Sequence, residues 1–208
     1  MTARTVDAYL GIGSRYSYLA STQLDRIAAE TGATFNWIAV ASPDLFVPGT
    51  DPFAGQAISG QYDWGYRQAD AEAWADYYGV PFREPRGRLS LDPQLLARAA
   101  WAAGEPLARA AMIKRLLMAV FVDDRIRLDA EACVDCAAEI GLDTEAFRQA
   151  LADPATEAHR LAALAQAKQA GVFGVPYFVA GDRHFFGNDR LVLLVHALTT
   201  ESPAGLRR

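Results

Sequence analysis

The chain has 208 residues, of which 51% are hydrophobic and 22% charged, with a formal net charge of −5. That length and composition support a sizeable core and exclude a disordered chain. The negative balance, with no dense Lys/Arg stripe, excludes a nucleic-acid surface, and no apolar run approaches the ~20 residues of a membrane span. The N-terminus lacks the charged, apolar and small-residue layout of a signal peptide, so a cytoplasmic protein without disulfides is expected.

Val6 to Ile12 reads as a buried strand running into a Gly13-Ser14 turn. From Ser17 the apolar residues Ala20, Leu24, Ile27 and Ala28 predict one helix, stopped by Gly32. Thr34 to Val40 is β-rich, with Phe35 and Trp37 on one face and Ile38 and Val40 on the other. Together these form a β-α-β unit with parallel strands. Residues 42–65, rich in Pro, Gly and Asp, have no period and read as a long functional loop. Helical patterns then cover 66–78, 93–103, 106–121, 129–140, 144–152 and about 154–170. Strand character returns at Tyr177–Ala180 and His184–Phe186, joined by a Gly181-Asp182 turn that signals a hairpin. Asn188 is a plausible N-cap for a last helix ending near Leu198.

The order β-α-β, helices, β-β-α is an α/β, thioredoxin-like fold split by a large all-helical insertion. The thioredoxin-like part is residues 1–41 and 171–208, and the helical insertion domain is residues 42–170. In such folds the site lies where the first helix begins, beside a Val-Pro dipeptide, here Val175-Pro176. Thiol oxidoreductases carry Cys-x-x-Cys at that helix start, whereas this chain carries Ser14-Arg15-Tyr16-Ser17. An oxygen pair cannot cycle through a disulfide, so sulfur chemistry requires a bound thiol.

The two cysteines, Cys133 and Cys136, stand elsewhere, within a helix capped by Asp129 and followed by Gly141. With Ile140 they share one helix face at i, i+3, i+7 and read as small core residues rather than a redox pair. His159, His184 and His196 show no metal-ligand spacing, and no metal is expected.

A helix N-terminus has unpaired N–H groups and partial positive charge, and therefore favours an anion. At Ser14 that field would act on an exogenous thiolate, with the hydroxyl donating to sulfur. Serine is also the commonest N-cap, and on Ser14 alone capping is the plainer reading.

Four segments shift that balance: residues 13–20 (GSRYSYLA), 79–82 (GVPF), 171–179 (GVFGVPYFV) and 185–191 (FFGNDRL). Together and in this order they resemble the 2-hydroxychromene-2-carboxylate isomerase family, sibling of the kappa-class glutathione transferases in the DsbA-like thioredoxin superfamily. The resemblance implies that Ser14 is the catalytic serine, hydrogen-bonded to the sulfur of glutathione or another small thiol. It implies a cis peptide at Pro176 and a Val175 main chain that pairs with the cysteinyl unit like an added strand. It assigns Asn188 and Asp189 to the γ-glutamyl end and puts Thr50 at a glutathione-backbone position of the long loop. Tyr16, Trp64 and Phe121 are candidates for the wall of an aromatic-substrate pocket, although core packing is the commoner role of such rings. The chain departs from the family pattern at Gly11, Arg15, Thr50, about Asp63, and Asp92. Arg15 and Arg67 are candidates to replace a charge the loop has lost.

The implied activity is glutathione-dependent isomerisation of a small, conjugated aromatic compound by a homodimer. A kappa-like glutathione transferase, in which the thiol stays on the product, and a non-catalytic thiol-binding relative are the alternatives.

Overall fold

The structure, a computed structural model, describes residues 4–46, 64–83, 90–125 and 127–200. Strand β1 (Thr5–Leu10) pairs in parallel with β2 (Thr34–Ala39) in the register Ala8↔Trp37, the arrangement a helical crossover permits. On its other side β1 pairs antiparallel with β5 (Tyr177–Ala180), which pairs antiparallel with β6 (Arg183–Phe186). The sheet order is therefore β2-β1-β5-β6.

Alternation along the strands sorts the side chains to two faces. Val6, Ala8, Leu10, Trp37, Ala39 and Phe178 belong to the main core, whereas Tyr9, Ile38, Val40 and Tyr177 join a second cluster with Ala163 and Ala167. The predicted division of Phe35 and Trp37 from Ile38 and Val40 holds. The exposed edge of β2 is closed by side chains: Trp101 Nε1 donates to Ala39 O at 3.2 Å and Arg109 Nε to Trp37 O at 3.0 Å. Such coverage removes a template for strand addition.

The single helix expected after Ser17 is two, α1 (Arg15–Ser21) and α2 (Leu24–Thr31). Ser21 Oγ bonds Tyr18 O and Thr22 Oγ1 bonds Leu19 O, each at 2.7 Å. These side-chain bonds to the preceding turn compete with the helix ladder and bend the chain there. Gly32, at φ +68°, closes α2.

The intervening helices are α3 (Trp64–Tyr78), α4 (Pro93–Ala102), α5 (Pro106–Phe121), α6 (Ala130–Glu139), α7 (Thr144–Ala152) and α8 (Pro154–Gln169). Asp92, Asp129, Asp143 and Asp153 cap α4, α6, α7 and α8 through backbone N–H groups of the first turn. One correction applies to the all-helical insertion: β3 (Ser90–Leu91) and β4 (Arg127–Leu128) form a two-stranded parallel ribbon. Two residues a side are too few to leave a period in the sequence. The main core runs without interruption from β1, α1 and α2 into α4, α5, α6 and α7.

The last helix, α9 (Leu191–Thr199), follows a 3-10 turn at Asn188–Arg190. Asn188 therefore does not cap it as expected, since Arg190 occupies the N-cap position. Among the described residues no helix is long and apolar enough to cross a membrane.

Candidate active site

Ser14 is the N-cap of α1, with extended backbone, and its Oγ accepts the Ser17 N–H at 3.2 Å. Its own N–H donates to Gly11 O at 3.0 Å, which folds the turn back on the end of β1. The cap uses the hydroxyl as an acceptor and, among the described residues, gives its proton no acceptor. Capping and donation to a bound sulfur are therefore compatible in one hydroxyl.

Ser17 has a different task. It is fully buried, and its Oγ accepts the Gly11 N–H at 3.2 Å. Gly11 itself explains one departure from the family pattern. A Cβ there would lie 2.8 Å from Val175 Cγ2, so a side chain at this position would have to push Val175 aside, and glycine lets the β1 end and the Val175 loop close on each other. Extending the Tyr9↔Tyr177 register also sets Gly11 opposite Val175. The Val175-Pro176 bond is cis. Among the described residues neither the N–H nor the C=O of Val175 pairs with another backbone group.

The third component comes from beyond β6. Gly187 N–H donates to Pro176 O at 3.0 Å, tying the 187–190 turn to the cis-proline loop. Gly187 has φ +104°, a left-handed backbone conformation that favours glycine. Asn188 is 3% exposed, and its Nδ2 is buried without a hydrogen-bond partner. Asp189 is exposed, with one oxygen 3.5 Å from Arg190 Nε. Helix α1 packs against this turn. Ser14, Val175, Pro176, Asn188 and Asp189 are thus brought to one end of the sheet. A Cβ at Gly13 would stand 3.5 Å from Leu91 Cδ1, next to the cap of α4.

Tyr16, on α1, is half-buried, and its hydroxyl donates to Asp70 Oδ2 at 2.8 Å while the Arg67 guanidinium lies 5.9 Å from the ring centroid. Burial and the Asp70 bond push its pKa up to about 12, so near neutral pH it is a protonated anchor and not a base. Phe121 is 1% exposed and stacks on Phe82 at 5.9 Å with Tyr18 at 5.7 Å. It is a core residue, enclosed by its neighbours, and not the wall of a pocket. Trp64 opens α3, but its side chain, Thr50 and Asp63 lie outside the described residues. Asp92, at another departure, serves as the α4 cap.

Cys133 and Cys136 are free and buried in α6. Burial pushes the Cys133 thiol up to about 12 and raises that of Cys136, whose sulfur accepts from Arg125 Nη1 at 3.6 Å. Burial thus disfavours the reactive thiolate at both positions. Sequence reasoning missed Asp70 and Tyr78, which have no local signal because their partners are remote in the chain. It passed over Gly11 as a role, although a glycine at a strand end can mark a close backbone approach.

Residues 5–199 match the family model of the DSBA-like thioredoxin domain. The chain is 28% identical over 200 residues to a 2-hydroxychromene-2-carboxylate isomerase of Sphingobium xenophagum, covering 92% of this chain and 96% of the relative. A solved 2-hydroxychromene-2-carboxylate isomerase superposes with a TM-score of 0.77 at 27% identity, covering 93% of this chain and 94% of the other. The cytosolic disulfide reductase DsbM from Pseudomonas aeruginosa, solved with GSH, shares the fold at 20% identity and a TM-score of 0.62, covering 94% and 95% of the two chains. With a cis-proline loop set beside the N-terminus of α1 and a family match over nearly its whole length, this chain belongs to the DSBA-like thioredoxin domain family.

Proposed function

We propose that this protein is a glutathione-dependent isomerase of the 2-hydroxychromene-2-carboxylate type, acting on a conjugated aromatic compound. The observation that carries the reading is the buried, unpartnered Nδ2 of Asn188 in a turn bonded to the cis-proline loop. A buried amide donor left unsatisfied costs about 1–3 kcal/mol, and an acceptor on a ligand removes that cost. The γ-glutamyl carboxylate of glutathione is such an acceptor, and the Asp189 carboxylate would face its ammonium group. The relatives that carry the isomerase name support the same reaction class.

Glutathione, when bound, supplies a thiolate that can add reversibly to a conjugated system. The protein's part is to hold and orient that sulfur. The N-terminus of α1 offers positive potential, and Ser14 offers one O–H donor without giving up its cap bond. The Val175 N–H and C=O would pair with the cysteinyl unit as an added strand would. Tyr16 keeps its proton, donates it in a hydrogen bond to Asp70 and so fixes α1 to α3. Because the sulfur leaves again, the net reaction is isomerisation, and rate comes from orientation and anion stabilisation.

Titration of glutathione into the protein, followed by thiolate absorbance and by conversion of a chromene carboxylate, tests this. The expected result is a bound-thiol pKa below that of free glutathione, with glutathione recovered unchanged after turnover. Glutathione recovered attached to the product would instead make the protein a transferase. Binding without turnover would make it a non-catalytic relative.

A further inference from the structure

Helix α3, about 22 Å long at ~1.5 Å per residue, packs against α1. Ala71 and Ala75 are 0% and 4% exposed and stand four residues apart, on one helix face. Beside them Asp70 accepts the Tyr16 hydroxyl, which ties the middle of α3 to α1. The last residue of α3 then reaches the other side of the site. Tyr78 OH donates to the main-chain carbonyl of Asn188 at 3.2 Å, across 110 residues of sequence.

That carbonyl also accepts the Leu191 N–H, so both of its lone pairs are used. One residue earlier, the Gly187 N–H is bonded to Pro176 O. The peptide planes around Asn188 are therefore held from two directions, by the cis-proline loop and by α3. The direction of the Asn188 side chain follows from those planes. Tyr78 is itself held, its ring 5.3 Å from Trp74 and 5.6 Å from Tyr77. Burial raises its pKa against a smaller opposing pull from the Asn188 side chain, so the phenol keeps its proton and donates.

We propose that Tyr78 is a positioning residue for the thiol subsite, aiming the buried Asn188 amide by holding its carbonyl from the end of α3. This rests on the reading above in which Asn188 contacts glutathione. In this role the phenol acts through Asn188.

Calorimetric titration of glutathione and steady-state kinetics on Tyr78→Phe, Tyr77→Phe, Asn188→Ala and the Tyr78→Phe/Asn188→Ala double variant test it. Tyr78→Phe keeps the ring and removes one hydrogen bond. It should raise Kd and KM for glutathione about 3- to 10-fold and leave kcat at saturating glutathione unchanged. Tyr77→Phe, in the same ring cluster but 78% exposed, should bind as the parent does. In the Asn188→Ala background the Tyr78→Phe effect should vanish, because no amide remains to aim. An unaltered Kd in Tyr78→Phe, or the same factor with and without Asn188, overturns the role while leaving glutathione binding intact. A parent protein that binds no glutathione overturns the functional reading and this role with it.

Discussion

Two pairs with the same i, i+3 spacing sit in this protein, Ser14/Ser17 at the start of α1 and Cys133/Cys136 inside α6. The first has the position that activates sulfur but carries oxygen. The second has sulfur but lies within a helix, where neighbouring carbonyls already accept the N–H groups and burial opposes charge. Position along the helix, more than residue type, decides what each pair can do. At the N-terminus, unpaired donors and the helix field lower the cost of an anion. In the buried segment the same thiol is pushed up to about 12 at Cys133. The chain thus keeps the frame of a thiol site and supplies the sulfur, on our reading, from a ligand.

The largest effect expected from this contrast is on cysteine reactivity. With a Cys133 pKa of about 12 against about 8.5 for a free thiol, the thiolate fraction near pH 8 falls roughly 10³-fold. Alkylation of the native protein at pH 8 should be slower than in denaturant by at least about that factor. Since the shift is upward, the native rate should climb about tenfold per pH unit until the thiol ionises near 12. Mass spectrometry of labelled peptides reads both. Rapid labelling of native Cys133 would break the comparison, because α6 would then hold a reactive thiol.

Next in size is the loss expected at Ser14. Removing one preorganised donor costs about 10²–10³ in rate, so Ser14→Ala should lose that much turnover and raise the bound-thiol pKa. The lost cap should cost about 1 kcal/mol of stability as well. Normal turnover combined with a lowered melting temperature would reduce Ser14 to a cap.

These contrasts were unequally visible in the sequence. The Tyr177–Ala180 strand and its two-residue turn were legible because a glycine punctuates two apolar runs. Helix α7 was legible at both ends because Asp143 and Asp153 flank it. The break between α1 and α2 was hidden, since Ser21 and Thr22 fit a helical pattern and disrupt it only through bonds made in three dimensions. Ser14, Val175, Asn188 and Asp189 could be named because each lies in a short local motif. Their supports could not: Tyr16–Asp70 and Tyr78–Asn188 span 54 and 110 residues, and no local pattern encodes a partner at that distance. Phe121 stays ambiguous in sequence for the opposite reason, as an aromatic side chain looks alike in a pocket wall and in the core where it lies.

The smallest effect separates the two serines from each other. Ser17 occupies the second position of the pair, yet its Oγ faces inward to Gly11 N–H and is fully buried. In Ser17→Ala that N–H loses its acceptor in a dry site, a cost of about 1–3 kcal/mol. The cap bond from Ser17 N–H to Ser14 Oγ survives, because it uses only backbone at position 17. The field at the start of α1 and the Ser14 donor are therefore kept. Ser17→Ala should unfold at lower denaturant concentration while retaining turnover within a few-fold of the parent, the reverse of the pattern at Ser14. Denaturant titration alongside kinetics on both variants checks this. Equal losses of turnover in the two would mean that Ser17, too, acts on the bound sulfur, and that the pair works as a unit rather than as a donor and its support.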